Sequence, residues 1–224
     1  MFVVALITLA YTLFGGFLGA TLTDVAQGLL MLAALIAVPI VTVVELGGWS
    51  EATDRIADVK HEAFNLFSGF SGNAFVWIVA TISTAAWGLG YFGQPHIIVR
   101  FMALRSPGEA KTARRISLFW MVLTASGAIF TALIGIGYFA GSPEIKLGKN
   151  ESEEVFLVMS RIFFHPFVAG LVLAAVLAAI MSTMSSQMIV CASALVEDLY
   201  SIMGRRVSAR NLLVLSRLSV LAVA

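Results

Sequence analysis

Small and hydroxyl-bearing side chains recur at helical spacing around residue 180. They are Ala175, Ala178, Ala179, Ser182, Thr183, Ser185 and Ser186. Hard cations such as Na⁺ prefer oxygen ligands. The hydroxyls of Ser182 and Thr183, with the carbonyl of Ala179 one turn earlier, therefore predict a cation site if the local helical hydrogen bond loosens. The alternative is helix packing, in which the hydroxyls bond back to carbonyls one turn earlier.

A second unusual segment lies earlier in the chain and reads WGLGYFGQPH over 87–96. Glycine weakens a helix, and proline removes a donor and clashes with the preceding turn. Trp87 and Tyr91 are four residues apart, so they share a helix face that can wall a small pocket. Broken helices at membrane depth are typical of binding sites in secondary transporters. A kinked packing helix with close small-residue contacts is the alternative.

Asp24 is the acidic residue at the start of an apolar run that begins at Val25. An ionisable residue inside a membrane is a functional hypothesis by default. Near the membrane edge the same residue can simply cap the helix that follows. Both interpretations stay open on sequence alone.

Composition places all of these residues in a membrane. The 224-residue chain is 59% hydrophobic and 12% charged, with a net charge of +1 and a mean hydropathy of +0.95. Soluble domains have about 45–50% apolar and about 25% charged residues. An ordinary soluble enzyme, a disordered tail and a nucleic-acid binder are therefore excluded.

The apolar segments predict one all-α transmembrane domain of about six helices. The predicted spans are 2–17, 25–44, 74–99, 116–139, 166–195 and 212–224. Basic connections at 100–115 and 205–210 should face the cytoplasm, and acidic ones at 45–62 and 144–161 should face outside. A short turn over Leu18–Asp24 should also lie on the cytoplasmic side. The first span begins at Phe2 without a flanking loop or a basic residue, and the last is too short for a crossing, so we expect the chain to be a piece of a longer protein.

Three stretches of the sequence resemble the sodium/solute symporter family, most closely its sodium/proline branch. They are 87–96 followed by 100–103, the run AAIMSTMSSQ at 178–187 followed by 193–195 and 197–200, and 15–17 through 23–24. The resemblance implies an inverted-repeat fold of two five-helix halves, with Na⁺ and solute bound near the midplane. The protein would be a multi-pass transporter of the bacterial cytoplasmic membrane and not an enzyme.

The same resemblance assigns roles to residues. It places Na⁺ at Ala179, Ser182 and Thr183, the solute at Trp87, Tyr91, Gln94 and Pro95, and coupling or gating at Asp24, Gly88 and Gly90. The implied activity is Na⁺-coupled symport of a small amino acid, with proline as the solute, Na⁺ as coupling ion and no cofactor.

The predicted spans correspond to the family's core helices four to nine, so we expect only part of each site in this chain. A symporter for another solute such as pantothenate is an alternative. A symporter-like membrane sensor of a histidine kinase is another. No metal-ligand spacing and no hydrolase or phosphate-loop motif accompanies these residues.

Overall fold

The computed structural model describes residues 2–65, 73–90, 93–140, 152–198 and 209–223. Most of these residues are helical, and none of them lies in a strand. The helices are α1 (Phe2–Glu45), α2 (Trp49–Val59), α3 (Ala74–Gly90), α4 (Pro95–Met102), α5 (Ala110–Ala140), α6 (Val155–Phe163), α7 (Pro166–Ser193) and α8 (Ala209–Val223). The all-α prediction is therefore confirmed for the described part of the chain.

Three of the described helical stretches are long and apolar enough to cross a membrane. They are Phe2–Glu45, Pro107–Ala140 and Pro166–Val196, and the interrupted pair α3 and α4 adds a fourth if it is counted as one span. The interruption falls between Gly90 and Pro95, inside the segment that the sequence predicts to be broken. The basic connection at 205–210 lies largely outside the described residues.

The helix α1 is broken at Gly16, where φ is 54° and ψ is −149°. A Cβ placed on Gly19 would lie 3.8 Å from the carbonyl oxygen of Tyr11, eight residues earlier in the chain. Eight residues of straight helix rise about 12 Å, so the chain bends back sharply at Gly16. The turn predicted over Leu18–Asp24 is wrong, because those residues are helical and the break precedes them.

Two short helices, α2 and α6, lie in or overlap the acidic connections, where the sequence interpretation placed no helix. The amphipathic helix α2 buries Ala52 and Ile56, and α6 buries Met159 and Ser160. Neither segment has the apolar length of a membrane span. An interpretation based on apolar runs of about 20 residues therefore did not predict these two helices.

The chain divides into two compact units. The first comprises Met1–Met31, Pro95–Ala103 and Ala174–Ala224. Within it, the Tyr11 hydroxyl donates to the carbonyl oxygen of Met181 at 3.1 Å. The helix α8 packs on a π-helical turn at 194–198, where Val196 and Val220 are buried. This unit contains Asp24 and the predicted cation-binding residues.

The second unit comprises Leu32–Gln94 and Leu104–Leu173. Its outer helices approach α5 at glycines. A Cβ on Gly137 would lie 2.9 Å from Cγ1 of Ile56, and one on Gly135 would lie 2.7 Å from Cγ1 of Val155. An edge-to-face ring contact joins Trp49 to Phe130, with centroids 5.8 Å apart. Glycines on α5 thus let α2 and α6 pack directly on its backbone.

Candidate functional site

The predicted cation ligands on α7 lie together around one carbonyl oxygen. Ser182 Oγ donates to the carbonyl of Ala179 at 3.0 Å, and Thr183 Oγ1 donates to the same carbonyl at 3.2 Å. Ser182 is half-buried, whereas Thr183 is exposed within this chain. Each hydroxyl uses its single proton on this carbonyl and keeps its lone pairs, so the cluster is rich in acceptor oxygens.

This arrangement fits both interpretations drawn from the sequence. Bonds from hydroxyls to carbonyls three and four residues earlier occur in ordinary packed helices. The same bonds hold three oxygens within reach of one small cation once the hydroxyl protons turn away. The geometry therefore brings the three oxygens together in one place.

The next turn of α7 carries two further hydroxyls that converge on one carbonyl. Ser185 Oγ donates to the Ser182 carbonyl at 3.0 Å, and Ser186 Oγ donates to it at 2.5 Å. Both side chains are buried. Ser186 differs from its neighbour because its oxygen also accepts from Arg100 Nη2, at 3.2 Å.

Arg100 forms an ion pair with Asp24. Its Nη2 donates to Oδ2 of the carboxylate. The Asp24 side chain is only 10% exposed, while that of Arg100 is 44% exposed. The capping interpretation of Asp24 is wrong, because α1 is helical on both sides of the residue. The carboxylate instead connects α1 to α4 within the first unit.

The predicted solute-binding segment is described only in part. Tyr91 and the side chain of Trp87 lie outside the described residues. Gln94 and Pro95 are exposed, as are Gly88 and Gly90. A Cβ on either glycine would meet no atom within 4 Å, so neither glycine makes a close packing contact with the described residues.

Sequence reasoning did not select Arg100, Ser186 or Tyr11 as site residues. A signal for Arg100 existed, because a buried acid in a chain of low charge needs a cationic partner. Ser186 stood in the hydroxyl patch without a feature that set it apart from Ser185. Nothing in the sequence pattern indicated that Tyr11 bonds beside Ser182, at Met181.

The whole chain is similar to known proteins. The model of the "Sodium:solute symporter family" matches residues 1–224. The high-affinity proline transporter PutP of Bacillus subtilis (strain 168) is 49% identical over 224 residues, which are 100% of this chain and 46% of that protein. The osmoregulated proline transporter OpuE of the same strain is 44% identical over 225 residues, which cover 100% of this chain and 44% of OpuE.

A third relative is a sodium/proline symporter of Staphylococcus aureus (strain bovine RF122 / ET3-1). It is 45% identical over 228 residues, covering 100% of this chain and 43% of the relative. The chain thus spans less than half the length of these relatives. No solved structure matches it.

Proposed function

Because the chain belongs to the sodium:solute symporter family, we propose that the complete protein is a Na⁺-coupled symporter whose solute is proline. The observation that carries the proposal is similarity along the full chain to proteins named as proline transporters and sodium/proline symporters. Those names describe transporters and not enzymes. The chain is an integral membrane protein, and we place it in the bacterial cytoplasmic membrane.

Sodium is assigned to the carbonyl of Ala179 and the hydroxyls of Ser182 and Thr183. Their clustering around one carbonyl supports this assignment. All three oxygens are uncharged, which suits a monovalent ion more than a divalent one, since ligand charge count sets affinity for hard cations. The remaining ligands would come from the part of the complete protein that corresponds to the regions of the relatives outside the match with this chain.

Proline is assigned to the interrupted segment between α3 and α4. Trp87 and Tyr91 would close over the apolar ring, while Gln94 lies in the interruption and Pro95 begins α4. Free backbone groups at such a break can bind the charged ends of an amino acid. Gly88 and Gly90 are the gating positions, and glycine permits the change in backbone conformation that gating requires. A Cβ on either glycine would meet no atom of the described residues within 4 Å.

Asp24 is assigned to the coupling of the two binding events. Coupling means that bound Na⁺ raises the affinity for proline and that bound proline raises the affinity for Na⁺. Such linkage is reciprocal, so proline must raise the affinity for Na⁺ by the same factor. The membrane potential contributes about 2.3 kcal/mol per charge per 100 mV, enough for roughly fifty-fold accumulation. The inverted-repeat organisation of two five-helix halves is part of the same proposal.

Uptake of labelled proline by the complete protein, in a bacterial strain without its own proline carriers, tests this function. We expect uptake in NaCl and little uptake when choline replaces Na⁺. Equal uptake in both media would contradict the coupling. Uptake of labelled pantothenate without uptake of proline would contradict the solute assignment.

A further inference from the structure

We propose that Ser186 is a positioning residue, which holds Arg100 and thereby links the Asp24–Arg100 ion pair to the sodium ligands on α7. This inference rests on the proposed function and adds a residue to which no role has been assigned. Ser186 is 8% exposed, and its hydroxyl both accepts a hydrogen bond from Arg100 and donates one to the Ser182 carbonyl.

The first half of the link joins three helices at one nitrogen atom. Arg100 Nη2, on α4, donates to Asp24 on α1 and to Ser186 Oγ on α7. A guanidinium NH₂ group carries two protons in a fixed plane. The two acceptors therefore define the orientation of the Arg100 head group, and loss of Ser186 leaves that orientation to Asp24 alone.

The second half of the link runs along α7. The Ser186 hydroxyl donates its own proton to the carbonyl of Ser182, so its lone pair is left for Arg100. Ser182 Oγ in turn donates to the carbonyl of Ala179. Ser182 joins the two bonds through its own covalent frame, because its carbonyl accepts from Ser186 and its hydroxyl is a proposed sodium ligand. A displacement of Ser186 therefore shifts the turn of α7 that carries the proposed sodium ligands.

This link connects the two proposed binding regions. The helix α4 begins at Pro95, directly after Gln94 of the proposed solute segment. A shift of α4 when proline binds moves Arg100 relative to Ser186, and an ion between Ser182 and Thr183 biases the same contact from the other side. Coupling requires a contact that has two arrangements and whose preference between them is changed by both ligands.

Ser185 provides a matched control. It is buried, lies beside Ser186 and donates to the same Ser182 carbonyl, but it does not bond to Arg100. Ser185→Ala and Ser186→Ala each remove one hydroxyl from that carbonyl. Only Ser186→Ala also removes an acceptor from Arg100, so the difference between the two variants isolates the link.

The test measures the KM for proline at low and saturating Na⁺ in the complete protein. In Ser186→Ala, the factor by which Na⁺ lowers this KM should fall by about ten-fold or more, as expected when a bond to a charged group is lost. The factor should change little in Ser185→Ala, because Ser185 bonds to the Ser182 carbonyl and the Arg100 contact is made by Ser186. Ser186→Thr retains a hydroxyl and should restore most of the coupling.

Equal loss in both alanine variants, or loss in neither, would overturn the inference. Thermal stabilisation of the purified complete protein by Na⁺ gives a readout that needs no solute. We expect Ser186→Ala, but not Ser185→Ala, to raise the Na⁺ concentration that gives half of this stabilisation. Superimposable Na⁺ curves for the two variants would contradict the link, whereas absence of proline uptake by the wild type would contradict only the solute assignment.

Discussion

Arg100 on α4 forms an ion pair with Asp24 on α1, although 76 positions separate the two residues in the chain. The carboxylate is nine-tenths buried and the guanidinium is partly exposed. Charged groups inside membrane segments are costly and pair with one another. The pair therefore fixes α4 against α1 in the unit that also carries the proposed sodium ligands.

The ion pair should contribute more to stability than a surface pair. We expect a double-mutant cycle of Asp24→Asn and Arg100→Gln to give a coupling energy of about 1–2 kcal/mol, between the values for exposed and buried pairs. Unfolding of the purified complete protein measures it. The exposed Glu51–Arg55 pair on α2, at 3.1 Å, is the control and should give about 0.3–0.5 kcal/mol. Equal coupling energies at the two sites would show that burial of Asp24 has no energetic effect.

Gly16 should resist substitution because of its backbone conformation. A residue with a side chain at φ 54° and ψ −149° is strained, so Gly16→Ala should destabilise the protein by about 1–3 kcal/mol. Gly15 is the control, since it is helical and a Cβ there meets no atom within 4 Å. Gly15→Ala should stay within about 1 kcal/mol of the wild type. Thermal unfolding compares the variants, and an undisturbed Gly16→Ala would argue against the bend at this residue.

Gly137 should resist substitution for a different reason, which is space. A Cβ there would lie 2.9 Å from Ile56 Cγ1 and 3.5 Å from the Ala52 carbonyl oxygen, so α2 must move away from α5. We expect Gly137→Ala to cost about 1–3 kcal/mol through overpacking.

Gly170 on α7 is the control for Gly137, because a Cβ there has no atom within 4 Å. Gly170→Ala should be neutral, or stabilising by up to about 1 kcal/mol, since alanine favours the helix. The melting temperatures of the two variants are the measurement. If Gly137→Ala has the same melting temperature as Gly170→Ala, the close approach of α2 to α5 is not present in solution.

The helical class was predictable because apolar runs in a membrane leave the backbone few alternatives. The position of the break in α1 was not predictable from the sequence. Polar residues over Leu18–Asp24 indicated a turn, but Thr21 and Thr23 donate to the carbonyls of Phe17 and Gly19 at 2.8 and 3.0 Å. These hydroxyls are satisfied inside the helix, and the bend falls instead where glycine permits a positive φ.

The candidate site was predictable to the extent that it is local in sequence. Ala179, Ser182 and Thr183 lie within one turn, so helical periodicity alone places them together. The contacts of Arg100 with Asp24 and Ser186 span 76 and 86 positions, and no spacing rule covers such distances. Ionisable residues inside membrane segments pair with one another, and only the fold identifies Arg100 as the partner of Asp24.

The most direct measurement of the central claim is the Na⁺ dependence of proline uptake by the complete protein carrying Ser182→Ala and Thr183→Ala together. Each hydroxyl proposed as a ligand makes a bond to a charged ion, so we predict that half-saturating Na⁺ rises by at least about ten-fold. Thr124→Ala is the control, because Thr124 donates to the Trp120 carbonyl at 2.9 Å on α5 with the same local geometry. An unchanged Na⁺ requirement in the double variant, or an equal rise in Thr124→Ala, would contradict the assignment of sodium to α7.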